Sequence, residues 1–223
     1  MTFGDRLQEI RTRIQSACER AGRTPESVEI LPVSKHQPLE RILEAMALGF
    51  TRFGENYVQE GMRKAGGLPP DALVLLGPLQ RNKAKAALQT FGEIQSLDRP
   101  DLAERLGTLA ASLAVTRPVW IQVDLWDEAT KVGGCPEADL PELVTTLRAH
   151  PGLPLKGFMA LPPPGDEAAF RALARLRDRW QDRLGQALKL SAGMSGDLES
   201  AILAGSDQVR IGTALFGSRD LVT

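Results

Sequence analysis

One lysine, one arginine and two loops rich in glycine and hydroxyl side chains are the residues through which this chain could do chemistry. Lys35 follows the apolar run EILPVS. An amine at the mouth of an apolar enclosure is disfavoured as ammonium, and the neutral form attacks an aldehyde. This is what a Schiff-base lysine requires, whether the carbonyl belongs to a pyridoxal cofactor or to a sugar phosphate. The competing reading is a lysine whose stem lies on apolar surface and whose amine reaches water.

The segments SAGMSGD and VRIGTALFG carry a second kind of chemistry. Gly193, Ser195 and Gly196 precede a helix predicted to begin near Asp197, and Arg210, Gly212 and Thr213 end a predicted strand. Glycines let backbone N–H groups approach an anion, hydroxyls donate further hydrogen bonds, and a helix N-terminus adds positive potential. Either loop alone also reads as ordinary capping by Ser195 or Asp197 with turn glycines. Together, and opposite a lysine at a strand end, the two loops point to a phosphorylated carbonyl compound. Arg210 alternates with Val209 and Ile211, so it faces the other side from them and needs an acceptor there. A ring nitrogen, a phosphate, or an acid such as Asp124 or Glu55 would serve. In FGENY, period two turns Glu55 and Asn56 to opposite sides. Asn56 is the one expected beside Lys35, and Glu55 is expected to pair with a cation between sheet and helices. His36 is expected to point away from Lys35 and is given no role.

These residues must be positioned by a scaffold, and the pattern along the chain supplies one. An amphipathic helix is predicted over 3–21, with Leu7, Ile10, Ile14, Ala17 and Cys18 on one face. Short apolar runs then alternate with helical spacing to the end. The predicted strands are 28–35, 51–56, 72–78, 93–98, 118–125, 153–161, 187–193 and 208–213. Helices are read over 39–48, 99–114, 139–150, 167–185 and 198–205. Such alternation implies a parallel sheet, and this number of β/α units fits a TIM barrel near its lower size limit. The open doubly wound alternative lacks its G-x-G-x-x-G turn. The expectation is a single-domain α/β barrel spanning 1–223, with the helix of 1–22 packed on it. Pro32 falls inside the first predicted strand, where a bulge would accommodate it. LPPPGDE reads as a loop between strand and helix, and the cations of GPLQRNKAK and of 171–183 read as solvated helix faces.

Composition narrows the partners. Of 223 residues 43% are hydrophobic and 25% charged, and 27 cations against 28 acids leave a formal charge of -1. A nearly neutral chain has no field to attract nucleic acid or an anionic membrane. No run of about 18 apolar residues is present, and charges interrupt the N-terminus where a signal peptide would need an apolar core. A cytoplasmic location is expected. Cys18 and Cys135 lack C-x-x-C spacing, and His36 and His150 have no partner at ligand spacing. Neither a metal site nor a disulfide is expected.

VSKHQP at 33–38, FGENYVQE at 53–60, GPLQRNK at 77–83, GFMALPP at 157–163 and the long segment from Leu190 to Gly217 resemble, in order and over nearly the whole chain, the pyridoxal phosphate homeostasis proteins. The resemblance implies the alanine racemase N-terminal barrel, called fold type III. It also implies binding of pyridoxal 5′-phosphate without a well-defined reaction, and a role in vitamin B6, amino-acid and keto-acid balance. By the same resemblance Lys35 is the lysine that forms the Schiff base and Asn56 lines the cofactor site. Met194, Ser195, Arg210, Gly212 and Thr213 fall on the segment that holds ring and phosphate. No catalytic residue is assigned. Two departures stand out: Leu73, Val74 and Leu75 replace a frequent Trp-His-Phe run, and Gln95 replaces a frequent histidine. Related racemases add a second domain with an opposing tyrosine, whereas this chain ends at Thr223 and its one tyrosine, Tyr57, belongs to FGENY. The implied function is therefore a monomeric carrier that buffers the cofactor or delivers it to apo-enzymes. The alternatives are a weak amino-acid racemase and an aldolase-like barrel.

Overall fold

The structure, a computed structural model, describes residues 1–126, 133–163 and 165–217. Its strands are β1 (Glu29–Pro32), β2 (Phe53–Glu55), β3 (Leu73–Leu75), β4 (Glu93–Leu97), β5 (Val119–Asp124), β6 (Cys135–Pro136), β7 (Leu155–Met159), β8 (Lys189–Ser191) and β9 (Gln208–Ile211). The hydrogen-bonded order is β1, β9, β8, β7, β5, β4, β3, β2, with β6 beside β5 alone. Each pairing is parallel. A bridge between Val33 and Gly54 joins the two ends, so the sheet closes into the expected barrel. The strands are shorter than the sequence pattern suggests, because their last apolar residues belong to the loops above them.

Pro32 needs no bulge. Val33 N–H donates to Ile211 O at 2.9 Å and Ser34 N–H donates to Gly54 O at 2.9 Å, so successive donors alternate between β9 and β2. The N–H that Pro32 lacks would face β2, where pairing begins only at Val33. The irregularities lie elsewhere, in the register of β4 on β5 and of β5 on β7.

The helices are α1 (Phe3–Arg20), α2 (Leu39–Ala47), α3 (Val58–Ala65), α4 (Ala84–Thr90), α5 (Pro100–Leu113), α6 (Leu140–Arg148), α7 (Glu167–Leu184), α8 (Leu198–Leu203) and α9 (Thr213–Phe216). Helix α1 starts at a reciprocal cap in which Asp5 N–H donates to Thr2 Oγ1 and Thr2 N–H to Asp5 Oδ2. It buries Phe3, Leu7, Ile10, Ile14, Ala17 and Cys18, each side chain contributing about 1.5–3 kcal/mol by leaving water, with the two smallest below that range. It packs on α8 and α9, and Arg6 Nε donates to Leu215 O at 2.7 Å. Helix α7 buries the expected stripe of Phe170, Leu173, Leu176 and Trp180. Helices α3 and α9 are not singled out by the sequence pattern, since one is a short helix among charges and the other a single turn.

Outward-facing strand residues such as Phe53, Leu75, Ile121, Phe158 and Val209 join the apolar faces of the helices in one core. Inside the barrel the packing is partly polar. Ser191 on β8 donates to Gln95 on β4 at 2.9 Å, and Gln95 donates to Gln208 on β9 at 2.7 Å. Because β4 is not a neighbour of β8 or β9, these bonds must cross the interior.

Candidate functional site

The site lies at the carboxyl ends of β1, β2, β8 and β9. After the bridged Val33, the chain turns at Ser34–Gln37, where Gln37 N–H donates to Ser34 O at 3.0 Å. Lys35 and His36 occupy the centre of this turn, and His36 has φ 60. Lys35 therefore stands beyond the strand, and it is exposed rather than buried in the mouth as its sequence context suggests. Strand order corrects a second expectation: β9 is the immediate neighbour of β1, so the loop after it adjoins the lysine turn instead of facing it across the barrel. A Cβ on Gly212 would lie 3.6 Å from Val33 O.

Asn56 follows β2 and is half-buried, next to the lysine turn, which β2 holds through the Ser34 N–H to Gly54 O bond. The GPLQ segment packs on it so closely that a Cβ at Gly77 would fall 1.9 Å from Asn56 O. The backbone approach thus requires glycine. Glu55 points to the helix side, as expected, and accepts from Lys64 Nζ at 2.6 Å and from Ser34 Oγ at 2.6 Å. Burial raises its carboxyl above the usual range despite both bonds. Burial also acts to raise Glu60, but the Lys64 ammonium and the His36 N–H prevail and hold that carboxyl below its ordinary value. His36 is exposed, 5.5 Å from the Tyr57 ring between centroids.

The loop after β8 is tied to β9 by Arg210 N–H, which donates to Gly193 O at 2.9 Å. Gly193 has φ 97, a left-handed conformation that glycine adopts without strain. Asp197 Oδ1 accepts from Met194 N–H at 2.6 Å, and Arg13 Nη2 donates to Ser195 O at 2.8 Å. Met194 is exposed. The N–H groups of Ser195 and Gly196, and those of Gly212, Thr213 and Ala214, have no acceptor among the described residues. Together with the Ser195 and Thr213 hydroxyls they form a cradle of donors for an anion. Helices α8 and α9 are only six and four residues long, so these individual donors carry the cradle more than any helix dipole.

Arg210 is buried inside the barrel. Its Nη1 donates to Ser191 O at 2.6 Å and Ser191 Oγ at 2.8 Å, and its Nη2 donates to Ala160 O at 2.7 Å. Its Nε has no partner among the described residues, and neither Asp124 nor Glu55 pairs with it. Burial pulls the guanidinium down to about 10, so it remains a cation at neutral pH. Below it the polar interior continues through Gln95 to Glu93 at 2.9 Å and through Gln208 to Glu29 at 2.9 Å, where Arg52 and Lys156 close the floor. A buried cation with a spare donor, a cradle of free N–H groups and a lysine amine at the mouth fit one ligand chemistry: an aldehyde carrying a phosphate and a polar ring. Ser191, Gln95, Lys64 and Glu60 escape the sequence reading as site residues. Only the spacing of Glu60 and Lys64, one helical turn apart, hints at a pair.

Residues 6–220 match the model of the alanine racemase N-terminal domain family. The pyridoxal phosphate homeostasis protein of Vibrio alginolyticus is 40% identical over 225 residues, with 96% of each chain covered. That of Pseudomonas aeruginosa is 41% identical over 223 residues, covering 98% of this chain and 96% of its own. The chain belongs to the pyridoxal phosphate homeostasis protein family. Among solved structures, PipY of Synechococcus elongatus with pyridoxal phosphate bound is 34% identical, with a TM-score of 0.84 over 97% of this chain and 100% of that one. An alanine racemase of Clostridium difficile, 17% identical with a TM-score of 0.72, covers 97% of this chain but 57% of the racemase, a likeness of fold alone.

Proposed function

We propose that this chain binds pyridoxal 5′-phosphate and acts in its homeostasis, with the cofactor joined to Lys35 as a Schiff base. In this reading Ser195, Gly196, Gly212 and Thr213 would hold the phosphate, and Arg210, Asn56 and Met194 would line the rest of the site. When bound, the cofactor supplies an aldehyde and an electron-withdrawing ring. The observation that carries the proposal is Arg210: a buried guanidinium with no carboxylate partner among the described residues, near free backbone donors, calls for a ligand that is both an acceptor and an anion.

Arg210 also separates storage from catalysis. A cation at the ring nitrogen keeps that nitrogen unprotonated and so weakens the ring as an electron sink. We therefore read the chain as a carrier that buffers the cofactor or hands it to apo-enzymes, and we further propose that 1–223 is a single cytoplasmic, monomeric unit. Among the described residues no helix is long and apolar enough to cross a membrane, and no cluster could hold a metal ion.

Borohydride reduction of the loaded protein followed by peptide mass spectrometry tests the site. Pyridoxyl label is expected on Lys35 and on no other side chain, and Lys35→Ala should lose the yellow colour. Rapid exchange of the α-hydrogen of alanine in deuterated water would instead favour an enzyme. Comparing transfer to an apo-enzyme with spontaneous release separates delivery from buffering.

A further inference from the structure

We propose that Lys64, Glu60 and Glu55 form a buried clamp that sets the Ser34–Gln37 turn and thereby positions Lys35. The proposal rests on the reading of Lys35 as the cofactor lysine and adds the residues that aim it.

The turn is one that its sequence does not favour. Its third residue, His36, has φ 60, the conformation for which turns of this kind prefer glycine or asparagine. A side chain held there persists only where its surroundings over-determine it. Both peptide groups that flank Lys35 are held from below by α3. On one side, Lys64 Nζ donates to Ser34 O at 2.7 Å; on the other, His36 N–H donates to Glu60 Oε1 at 2.5 Å. The remaining ammonium protons go to Glu55 Oε1 at 2.6 Å and Glu60 Oε1 at 2.7 Å, which satisfies all donors of the lysine. The Lys64 side chain is 9% exposed and that of Glu55 0%, so water cannot substitute for these partners.

Charge-assisted bonds of this length, shielded from solvent, are strong enough to hold a strained turn. They reach the backbone on either side of Lys35 without touching its side chain, which stays free for a ligand. The cluster therefore acts as a positioning group, with no part in bond making.

Stopped-flow absorbance of apo-protein mixed with pyridoxal phosphate tests the clamp. Glu60→Ala should slow formation of the visible band by about tenfold or more, the size of one lost charge-assisted hydrogen bond. Glu60→Gln keeps an acceptor for His36 N–H and should stay within about threefold of the parent. Glu60→Ala combined with His36→Gly should recover most of the rate, since glycine adopts the turn unaided; a general loss of stability would not be rescued in this way. Capture by Glu60→Ala at the parent rate, or no recovery in the double variant, overturns the proposal.

Hydrogen exchange on the unmodified protein answers the same question if a variant fails to fold. The His36 amide should exchange on the order of a hundredfold more slowly than the neighbouring Lys35 amide. Pyridoxyl label on Lys35 with an unprotected His36 amide refutes the clamp alone. Label on another side chain, with His36 protected, refutes the reading of the site and with it the positioning role.

Discussion

Arg210 and Ser191 are joined twice: the guanidinium donates to the serine carbonyl at 2.6 Å and to its hydroxyl at 2.8 Å. The hydroxyl is then oriented as a donor to Gln95 or Gln208, both at 2.9 Å. A cation near the mouth is thus connected to the carboxylates of the barrel floor by a column of neutral amides. Among the described residues no carboxylate reaches it directly, and this leaves its charge available to a ligand.

Replacing Arg210 with methionine should weaken pyridoxal phosphate binding by about tenfold to a hundredfold, the range for a lost hydrogen bond to a charged group. Stability of the apo-protein should change little, because relief of a buried cation opposes the cost of leaving the Ser191 and Ala160 carbonyls unpaired. Equilibrium titration and thermal melts of the apo-protein check both parts. Undiminished affinity would remove Arg210 from the site.

Gly193 is held at φ 97, and a Cβ added there would fall 2.6 Å from the Ala201 Cβ. Gly193→Ala should therefore cost about 1–3 kcal/mol from backbone strain, with overpacking adding a similar amount. It should also lower cofactor affinity, because Gly193 O anchors Arg210 N–H. Adding Ala201→Gly should recover the packing part and leave the strain. Equal melting temperatures for the single and double variants would show that the clash plays no part.

Much of this molecule is legible in its sequence because the signals are local. Short apolar runs mark every strand from β1 to β5 and from β7 to β9, and the stripe at Phe170, Leu173, Leu176 and Trp180 marks α7. The glycines at 193 and 212 mark the loops. What stays hidden depends on which strands become neighbours. That Arg210 meets Ser191 and Ala160, or that Gln95 reaches Gln208, follows from barrel closure, which no local spacing reveals. Lys64 is hidden for another reason: a lysine on a short helix reads as solvated until the fold buries it against Glu55. Leu73, Val74 and Leu75 form the buried strand β3, so this departure from the family's frequent pattern is absorbed by the core.

Both cysteines should be inert in the folded protein. Cys18 and Cys135 are buried; burial raises the first thiol and pushes the second up to about 12, with Asp139 and Asp98 adding to it. The thiolate is the reactive form, so almost none is present at neutral pH. A chromogenic thiol reagent should label neither residue on mixing and both after denaturation. Fast release of one equivalent from native protein would contradict the burial of that cysteine.

Arg13 ties α1 to α8 and the loop before it, with Nε 2.6 Å and Nη2 2.8 Å from the two oxygens of Glu199 and a further bond from Nη2 to Ser195 O. The hydrogen bonds from Arg13 hold the Glu199 carboxyl below its ordinary value of 4.5. A carboxyl with a depressed folded value contributes stability above its unfolded value and loses it as pH falls through the folded one. The pair is about one-third exposed, so its contribution at neutral pH should be below about 1 kcal/mol. The melting temperature should therefore drop less steeply between about pH 5 and pH 3 in Glu199→Gln than in the parent. The same variant should weaken phosphate binding slightly, because Ser195 loses part of its support. Parallel acid limbs for the two proteins would mean that the Arg13 pairing contributes nothing to acid sensitivity.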